Sequence, residues 1–355
     1  MTRAATARTA SPAASAPWST LAPAEQIGFG VYVHIPFCRH KCDYCAFATF
    51  TDRAHLVERY LAALRVEIER AAASPSAHTP LPAASTIFVG GGTPSLVDPQ
   101  ALVAVLDAIP RRDDAEFTIE CNPDDVTVEM LRTFRSIGVN RISLGMQSAR
   151  EHVLLSLGRT HTPTNVQRAV DAIAASGIDN FNVDVIYGGA GESLADWSAT
   201  IDSVIALGAP HVSAYGLTVE NGTALADQPE RHPDDDDQAD KYDLADDAFA
   251  ASGRLNYEIS NWALPVASVV ITPCIGAAET MPGSAVPPTP IATAAVRGMF
   301  APPTDTSSSS NQVHLPSRHT NRSMPARASS NACSCSCARA MVFPMTLSAT
   351  TTAVS

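Results

Sequence analysis

Short apolar runs recur along the first two thirds of the chain, and each is bounded by polar residues, proline or glycine. Val, Ile, Phe and Leu fill these runs almost without interruption, which is typical of strands buried on both faces, as in a parallel sheet. The pattern predicts six β-strands, over residues 31–37, 86–91, 117–122, 141–147, 180–187 and 211–217.

The segments between these strands favour helices. In the first of them, residues 52–72, Leu56, Tyr60, Leu64 and Ile68 follow a period close to 3.6. Helices are also predicted over 99–109, 125–137, 163–175, 194–207 and 238–252. Six strand–helix alternations predict an α/β fold, a partial (β/α)6 barrel of the TIM type, with a doubly wound open sheet as the alternative.

Polar residues and glycines gather where the predicted strands end. In parallel α/β folds this carboxyl edge is where functional sites lie. Three cysteines follow the first strand, and the sequence GGGTPS ends the second. Glu120 ends the third strand, Gln147 the fourth, and Asp184 lies within the fifth. Core packing alone does not explain so many polar groups at the carboxyl edge of the sheet.

The three cysteines form a CxxxCxxC motif with Cys38, Cys42 and Cys45. Thiolates are good ligands for iron–sulfur clusters, and three of them on a four-iron cluster leave one iron without a protein ligand. An open coordination position is what a catalytic metal needs. Two alternatives remain: a zinc site completed by His34 or His40, and ordinary buried cysteines.

Composition narrows the class of protein. The net charge is −12, and residues 264–355 carry five Arg and two acidic residues, so the part before them has a net charge of −15. Phosphate is repelled by such an acidic body, which argues against a nucleic-acid partner. No run of eighteen apolar residues indicates a membrane span, and the eight cysteines are not spread as a disulfide framework. Residues 1–26, rich in Ala, Ser, Thr and Pro, are predicted to be a disordered leader, with a transit peptide as the alternative.

Seven motifs in order, between residues 29 and 263, resemble a known family. They are YVHIPFCRHKCDYCAF, FVGGGTPS, IECNPDD, RISLGMQS, LGRTH, VDVIYG and YEISNWA. The cysteine motif resembles the radical S-adenosylmethionine (SAM) enzymes, and the whole set resembles the oxygen-independent coproporphyrinogen oxidase group. The resemblance implies a radical SAM barrel with a [4Fe-4S] cluster on Cys38, Cys42 and Cys45. It also implies S-adenosylmethionine on the open iron, cleaved by the reduced cluster to a deoxyadenosyl radical.

The resemblance also implies roles for residues around the cofactor. Gly91, Gly92 and Thr93 would contact the amino-acid end of S-adenosylmethionine, and a plain tight turn is the alternative for them. The other implied cofactor-binding residues are polar or aromatic, and for each the alternative is a structural hydrogen bond or a solvated side chain. Glu120 and Asp184 would accept hydrogen bonds from the ribose hydroxyls or the amine of S-adenosylmethionine. Gln147 would both donate and accept hydrogen bonds, and Arg159 would pair with the carboxylate of the cofactor. Tyr32 and Tyr44 would pack near the cluster or the adenine.

Within the group, one position favours heme chaperones of the HemW type over true oxidases. The oxidases carry a fourth cysteine two residues after the third, and here that position is Phe47. The resemblance then implies a cytoplasmic protein that binds heme and passes it to a respiratory heme protein, with an electron donor for the cluster. The alternative is an enzyme, an oxygen-independent coproporphyrinogen III oxidase that decarboxylates its substrate by radical chemistry.

The resemblance ends at residue 263, which divides the chain into a core over 27–263 and a tail over 264–355. The tail is rich in Pro, Ser, Thr and Ala, a composition that does not readily bury a core. Back-translated one base earlier, residues 269–291 can read RHN, a tryptophan, glycines and AHS, which the family has in this order. We therefore expect a frameshift between about residues 262 and 269, with a disordered tail and doubtful heme binding. A naturally divergent tail is the alternative.

Overall fold

A computed structural model of the chain describes residues 29–73, 82–265 and 341–342. Its centre is a sheet in which six parallel strands lie side by side in chain order. These strands are β1 Gly30–Ile35, β2 Ala84–Gly91, β3 Arg111–Cys121, β4 Arg141–Gln147, β5 Asn180–Tyr187 and β6 His211–Gly216. A doubly wound sheet reverses its strand order at a switch point. The unreversed order confirms the partial (β/α)6 barrel.

Helices connect the strands and cover the outer face of the sheet. They are α1 Val57–Ala73, α2 Pro99–Leu106, α3 Val128–Arg135, α4 Glu151–Ser156, α5 Pro163–Ser176, α6 Leu194–Ala206 and α7 Asp235–Ala251. The sequence did not predict α4. Helix α7 begins three residues earlier than predicted because the Asp234 carboxylate caps it, accepting from the Asp237 backbone N–H at 2.9 Å.

The two faces of the sheet differ in chemistry. Side chains such as Ile142, Val183 and Val212 point to the helices and are fully buried in one apolar core. The intervening positions are polar, and register places Ser143, Asn182 and His211 in one row across β4, β5 and β6. The strands are therefore buried on both faces as predicted, but hydrogen bonds among polar side chains fill the second face.

An antiparallel hairpin closes the β6 edge of the sheet. Strands β7 Leu255–Glu258 and β8 Asn261–Ala263 form it, and β8 pairs with β6. Trp262 anchors the hairpin: its ring is buried against Phe249, and its Nε1 donates to Asp246 Oδ1 at 2.9 Å. The sequence did not predict this hairpin, because both strands are short and neither contains a continuous apolar run.

The predicted leader over 1–26 and nearly all of the predicted tail over 264–355 lie outside the described residues. From the tail's far part, only β9, Met341–Val342, is described, and it pairs parallel with β1. The domain limits and the frameshift therefore stay predictions. Among the helices in the described part of the chain, none combines the length and apolarity needed to cross a bilayer.

Candidate functional site

The cysteine loop, residues 38–49, leaves β1 and returns to it. The Cys38 backbone N–H donates to the Phe50 carbonyl at 3.1 Å, and the Phe50 N–H donates to the Pro36 carbonyl at 2.8 Å. Pro36 has no N–H, so β1 ends at Ile35 and the chain turns into the loop. Within the loop, the Cys45 N–H donates to the Cys42 carbonyl at 3.1 Å. Both ends of the loop are thus fixed at the carboxyl edge of β1.

The thiols are partly buried and receive hydrogen bonds from other rim residues. Thr93 Oγ1 donates to Cys38 Sγ and Arg159 Nη1 donates to Cys42 Sγ, each over 3.6 Å. Burial raises the pKa of the Cys38 and Cys45 thiols, and the bond from Thr93 opposes this for Cys38. Since metal ligation requires thiolates, donors aimed at sulfur favour the ligating form.

The cysteine loop offers three thiols as metal ligands. Among the described residues, no group of three or more His, Cys, Asp or Glu side chains is placed to hold a metal ion. The zinc alternative would need His34 or His40 as a fourth ligand. However, His34 Nε2 lies 3.0 Å from the Ala48 carbonyl oxygen, and His40 is exposed. A four-iron cluster does not require its ligands to meet at one point, because each thiolate binds a different iron.

The glycine turn, residues 90–92, packs directly against β1 and the cysteine loop. The Gly92 N–H donates to the Ile35 carbonyl, and the Thr93 N–H donates to the Phe37 carbonyl, both at 2.8 Å. A Cβ on Gly92 would lie 2.7 Å from the Ile35 and Phe37 carbonyl oxygens. Gly91 has φ +107°, and a Cβ there would lie 2.3 Å from the His34 ring. Glycine is therefore required by the close approach of two protein segments.

Two carboxylates lie behind the glycine turn. Glu120 Oε2 accepts from the Gly91 N–H at 3.0 Å. Burial raises the pKa of Glu120 to about 8; the nearby negative charge of Asp184 adds to the rise and the Gly91 N–H opposes it. Burial also raises the pKa of Asp184, against hydrogen bonds from Ser143 Oγ at 2.8 Å and Asn182 Nδ2 at 2.7 Å. Glu120, near the end of β3, and Asp184, within β5, can each accept donors or hold a proton.

Gln147 and Arg159 meet at the end of β4. Gln147 has φ +63°, the one positive value among the described non-glycine residues, at an irregularity in the pairing of β4 with β5. A Cβ on Gly145 would lie 3.0 Å from Gln147 Nε2 and 3.4 Å from Arg159 Nη2. Arg159 Nη2 also donates to the Gly145 carbonyl at 3.0 Å. Backbone strain of this kind concentrates at functional sites.

His161 is a rim residue that the sequence analysis did not single out, although it lies in the quoted LGRTH motif. Its buried ring places Nε2 2.8 Å from the Met146 carbonyl oxygen, directly before the strained Gln147. Burial, aided by the nearby Arg159 charge, lowers the pKa of His161 to about 4. The ring is therefore neutral near pH 7 and supports the backbone that aims Gln147.

The two predicted aromatic residues lie at different depths. Tyr32 is within β1, where its hydroxyl lies 3.2 Å from His34 Nδ1 and its ring stacks on Phe88. Tyr44 is in the cysteine loop, where burial raises the pKa of its hydroxyl. It packs against a second apolar cluster under the rim, made of Val153, Leu157, Ile186, Leu217 and Leu225. All the predicted site residues except Tyr32 and Asp184, which lie within β1 and β5, are therefore at the carboxyl edge.

Residues 32–204 match the radical SAM superfamily. The chain is also 43% identical over 259 residues to the heme chaperone HemW of Mycobacterium tuberculosis, covering 69% of this chain and 65% of that protein. It is 35% identical over 240 residues to HemW of Escherichia coli, covering 66% of this chain and 62% of that protein. The match thus spans less than two thirds of these relatives' length.

Among solved structures, coproporphyrinogen III oxidase (HemN) from Escherichia coli has the same fold. Its TM-score is 0.61, with 23% sequence identity, over 69% of this chain and 57% of that chain. At this identity the likeness concerns the fold alone. It supports the partial barrel derived from the strand order.

Proposed function

Because the chain belongs to the radical S-adenosylmethionine superfamily, we propose that it is a heme chaperone that binds a [4Fe-4S] cluster, S-adenosylmethionine and heme. The chain would lie in the cytoplasm and pass the heme to a respiratory heme protein, and an electron donor would reduce the cluster. The observation that carries this proposal is the similarity to HemW proteins over 66–69% of this chain.

Cys38, Cys42 and Cys45 would hold the cluster. Thr93, which donates to Cys38 Sγ, would stabilise the thiolate form of Cys38, and Arg159 would hold Cys42 through its bond to Sγ. The bound cluster and S-adenosylmethionine would supply one-electron reductive cleavage of a sulfonium. This chain's own contribution is to fix the thiols at the end of β1 and to keep one iron free of protein ligands.

The other rim residues would hold S-adenosylmethionine. Glu120 and Asp184 present oxygen acceptors for hydroxyl or ammonium groups, and Gln147 adds an amide that donates and accepts. Arg159 would offer its guanidinium to a carboxylate. Gly91 and Gly92 would let the ligand approach the backbone of the glycine turn, since they carry no side chain.

Phe47 supports the chaperone over the oxidase. It lies within the cysteine loop at the position where the oxidases carry a fourth cysteine. A phenylalanine cannot ligate a metal, so the loop offers three thiols and not four. The oxidase proposal lacks a comparable observation in this chain.

Anaerobic reconstitution followed by ligand titration tests the proposal. We expect about four irons and four sulfides per chain in the wild type, strongly reduced iron in Cys42→Ala, and unchanged iron in Cys121→Ala. Cys121 is the matched control because it is a buried cysteine on the core-facing side of β3. Hemin titration, read by absorbance, tests the cargo: saturation near one heme per chain would support the chaperone.

Two results would overturn the chaperone. Absence of saturable hemin binding in the cluster-loaded full chain would remove the cargo. Conversion of coproporphyrinogen III propionates to vinyl groups, seen by mass spectrometry with S-adenosylmethionine and a reductant, would establish the oxidase instead. Equal iron in Cys42→Ala and Cys121→Ala would refute the cluster site itself.

A further inference from the structure

The β6–α7 connection, residues 217–234, reaches across the rim to the cysteine loop. The Leu225 N–H donates to the Asp43 carbonyl at 2.9 Å, and Arg231 Nη2 lies 2.8 Å from Asp43 Oδ2. Asp43 stands between Cys42 and Tyr44, so both contacts fall inside the cysteine motif. A segment that carries none of the predicted ligands is therefore bonded to the motif by backbone and side chain.

Asp43 is also held from the side of α4. Its N–H donates to the Leu157 carbonyl at 3.3 Å. Gly158, with φ +70°, follows that residue, and a Cβ there would lie 2.9 Å from Asp43 Oδ1. The peptide between the second and third cysteines is thus enclosed by α4 on one side and the β6–α7 connection on the other.

Arg231 joins both sides. Besides Asp43, its Nη2 donates to the Ser156 carbonyl at the end of α4, and its Nη1 donates to Gln228 Oε1 at 2.6 Å. The Arg231 side chain is 19% exposed and that of Asp43 28%. Charge-assisted hydrogen bonds at such partly buried positions are stronger than those of a solvated pair. Removing the guanidinium leaves the Asp43 carboxylate without its cationic partner.

The β6–α7 connection can hold the Arg231 side chain in place because the connection is itself packed against the rest of the protein. Leu217 and Leu225 are buried in the second apolar cluster together with Leu157. His232 Nε2 lies 3.0 Å from the Leu225 carbonyl oxygen, next to Arg231 in sequence. The guanidinium is therefore presented from a packed segment, not from a free loop.

We propose that Arg231 is a positioning residue that holds the cysteine loop in its ligating shape through Asp43. The role in cluster retention rests on the proposed function. The effect on the loop does not, because it follows from contacts that the apo-protein already makes. Cys42 and Cys45, which flank Asp43 and Tyr44, are the thiols that the contact restrains.

Thiol alkylation of the apo full-length chain, resolved cysteine by cysteine by mass spectrometry, tests the proposal. We expect Arg231→Gln to speed iodoacetamide labelling of Cys42 and Cys45 about tenfold, the size set by losing one charge-assisted hydrogen bond. Arg231→Lys is expected to restore part of the protection. Cys121 is expected to label at the wild-type rate.

Arg150→Gln is the matched control, because Arg150 pairs with Asp196 at 2.9 Å elsewhere on the rim helices. Equal labelling in Arg231→Gln and Arg150→Gln would overturn the proposal. Faster labelling of Cys121 as well would mean that Arg231→Gln unfolds the protein generally. The same measurement on Asp43→Asn then decides: faster labelling of Cys42 and Cys45 alone would support the positioning role of Arg231, and wild-type labelling rates would refute it. Iron loss to a chelator from reconstituted protein, expected to be faster in Arg231→Gln, reports the cluster separately.

Discussion

Substitutions in the glycine turn test whether close packing or backbone conformation dictates its sequence. The chain provides a graded set. Gly91 combines φ +107° with a Cβ position 2.3 Å from the His34 ring, whereas Gly92 has only the close approach, 2.7 Å from two carbonyl oxygens. Gly222 has φ +81° and nothing within 4 Å of its Cβ position. Alanine at these three positions therefore isolates strain, clash and their combination.

The expected losses of unfolding free energy follow from these distances. Alanine at Gly222 carries only the left-handed backbone cost, about 1 kcal/mol. Alanine at Gly92 forces two backbone segments apart and costs about 2 kcal/mol or more, since overpacking typically costs about 1–3 kcal/mol. Gly91→Ala combines both and is expected to cost about 3 kcal/mol, because His34 is held at both ring nitrogens.

Urea unfolding of the apo-protein, followed by far-ultraviolet circular dichroism, measures the three losses. The slope of unfolding free energy against urea concentration is expected to stay at its wild-type value. The midpoint is expected to fall least in Gly222→Ala, more in Gly92→Ala and most in Gly91→Ala. If Gly91→Ala were no less stable than Gly222→Ala, the His34 ring would be yielding, and packing would not explain the glycine. A neutral Gly92→Ala would refute the close approach of the turn to β1.

Three further substitutions test the rim and the polar face of the sheet. In the wild type, apo-protein stability is expected to fall as pH rises from 4.5 to about 8, because over that range only the unfolded state releases the Glu120 proton. Glu120→Gln is expected to abolish this fall, and an unchanged pH slope would contradict it. Gln keeps an oxygen for the Gly91 N–H. Wild-type stability is also expected to fall as pH falls from 6.5 to about 4, since only the unfolded state binds a proton at His161 over that range. His161→Gln is expected to abolish this fall, and the same pH dependence of stability in variant and wild type would refute it. Asn182→Ala is expected to cost about 3 kcal/mol in urea unfolding by leaving the Asp184 carboxylate with one donor fewer, and wild-type stability would speak against that bond.

The apolar pattern was sufficient to predict the parallel sheet. Strands β4 and β5 begin and end at the predicted residues, because polar or helix-forming segments flank them sharply. Strand β3 instead starts at Arg111, six residues early. Its first residues, RRDD, are polar and mostly exposed, and Arg111 pairs with Ala84, the first residue of β2. Tertiary pairing of this kind leaves no local signal.

The parts of the site that lie in a local sequence motif were predictable, and contacts between residues far apart in the sequence were not. The cysteine loop and the glycine turn adjoin because β1 and β2 are neighbours, which strand order alone implies. His161 was missed because a lone histidine gives no hint of the carbonyl it supports. The bond between Asp43 and Arg231 was missed because 188 residues separate them and neither stands in a recognisable pattern.

That separation also sets an order in time during synthesis. A ribosome adds about 5–20 residues per second, so Arg231 is made about 10–40 s after the cysteine loop. Throughout this interval the nascent loop has neither the guanidinium nor the Leu225 N–H that later bond to Asp43. Its thiols are open to oxidants and competing metals for that long. A cluster inserted before residue 231 is added would enter a loop that the rest of the barrel has not yet shaped.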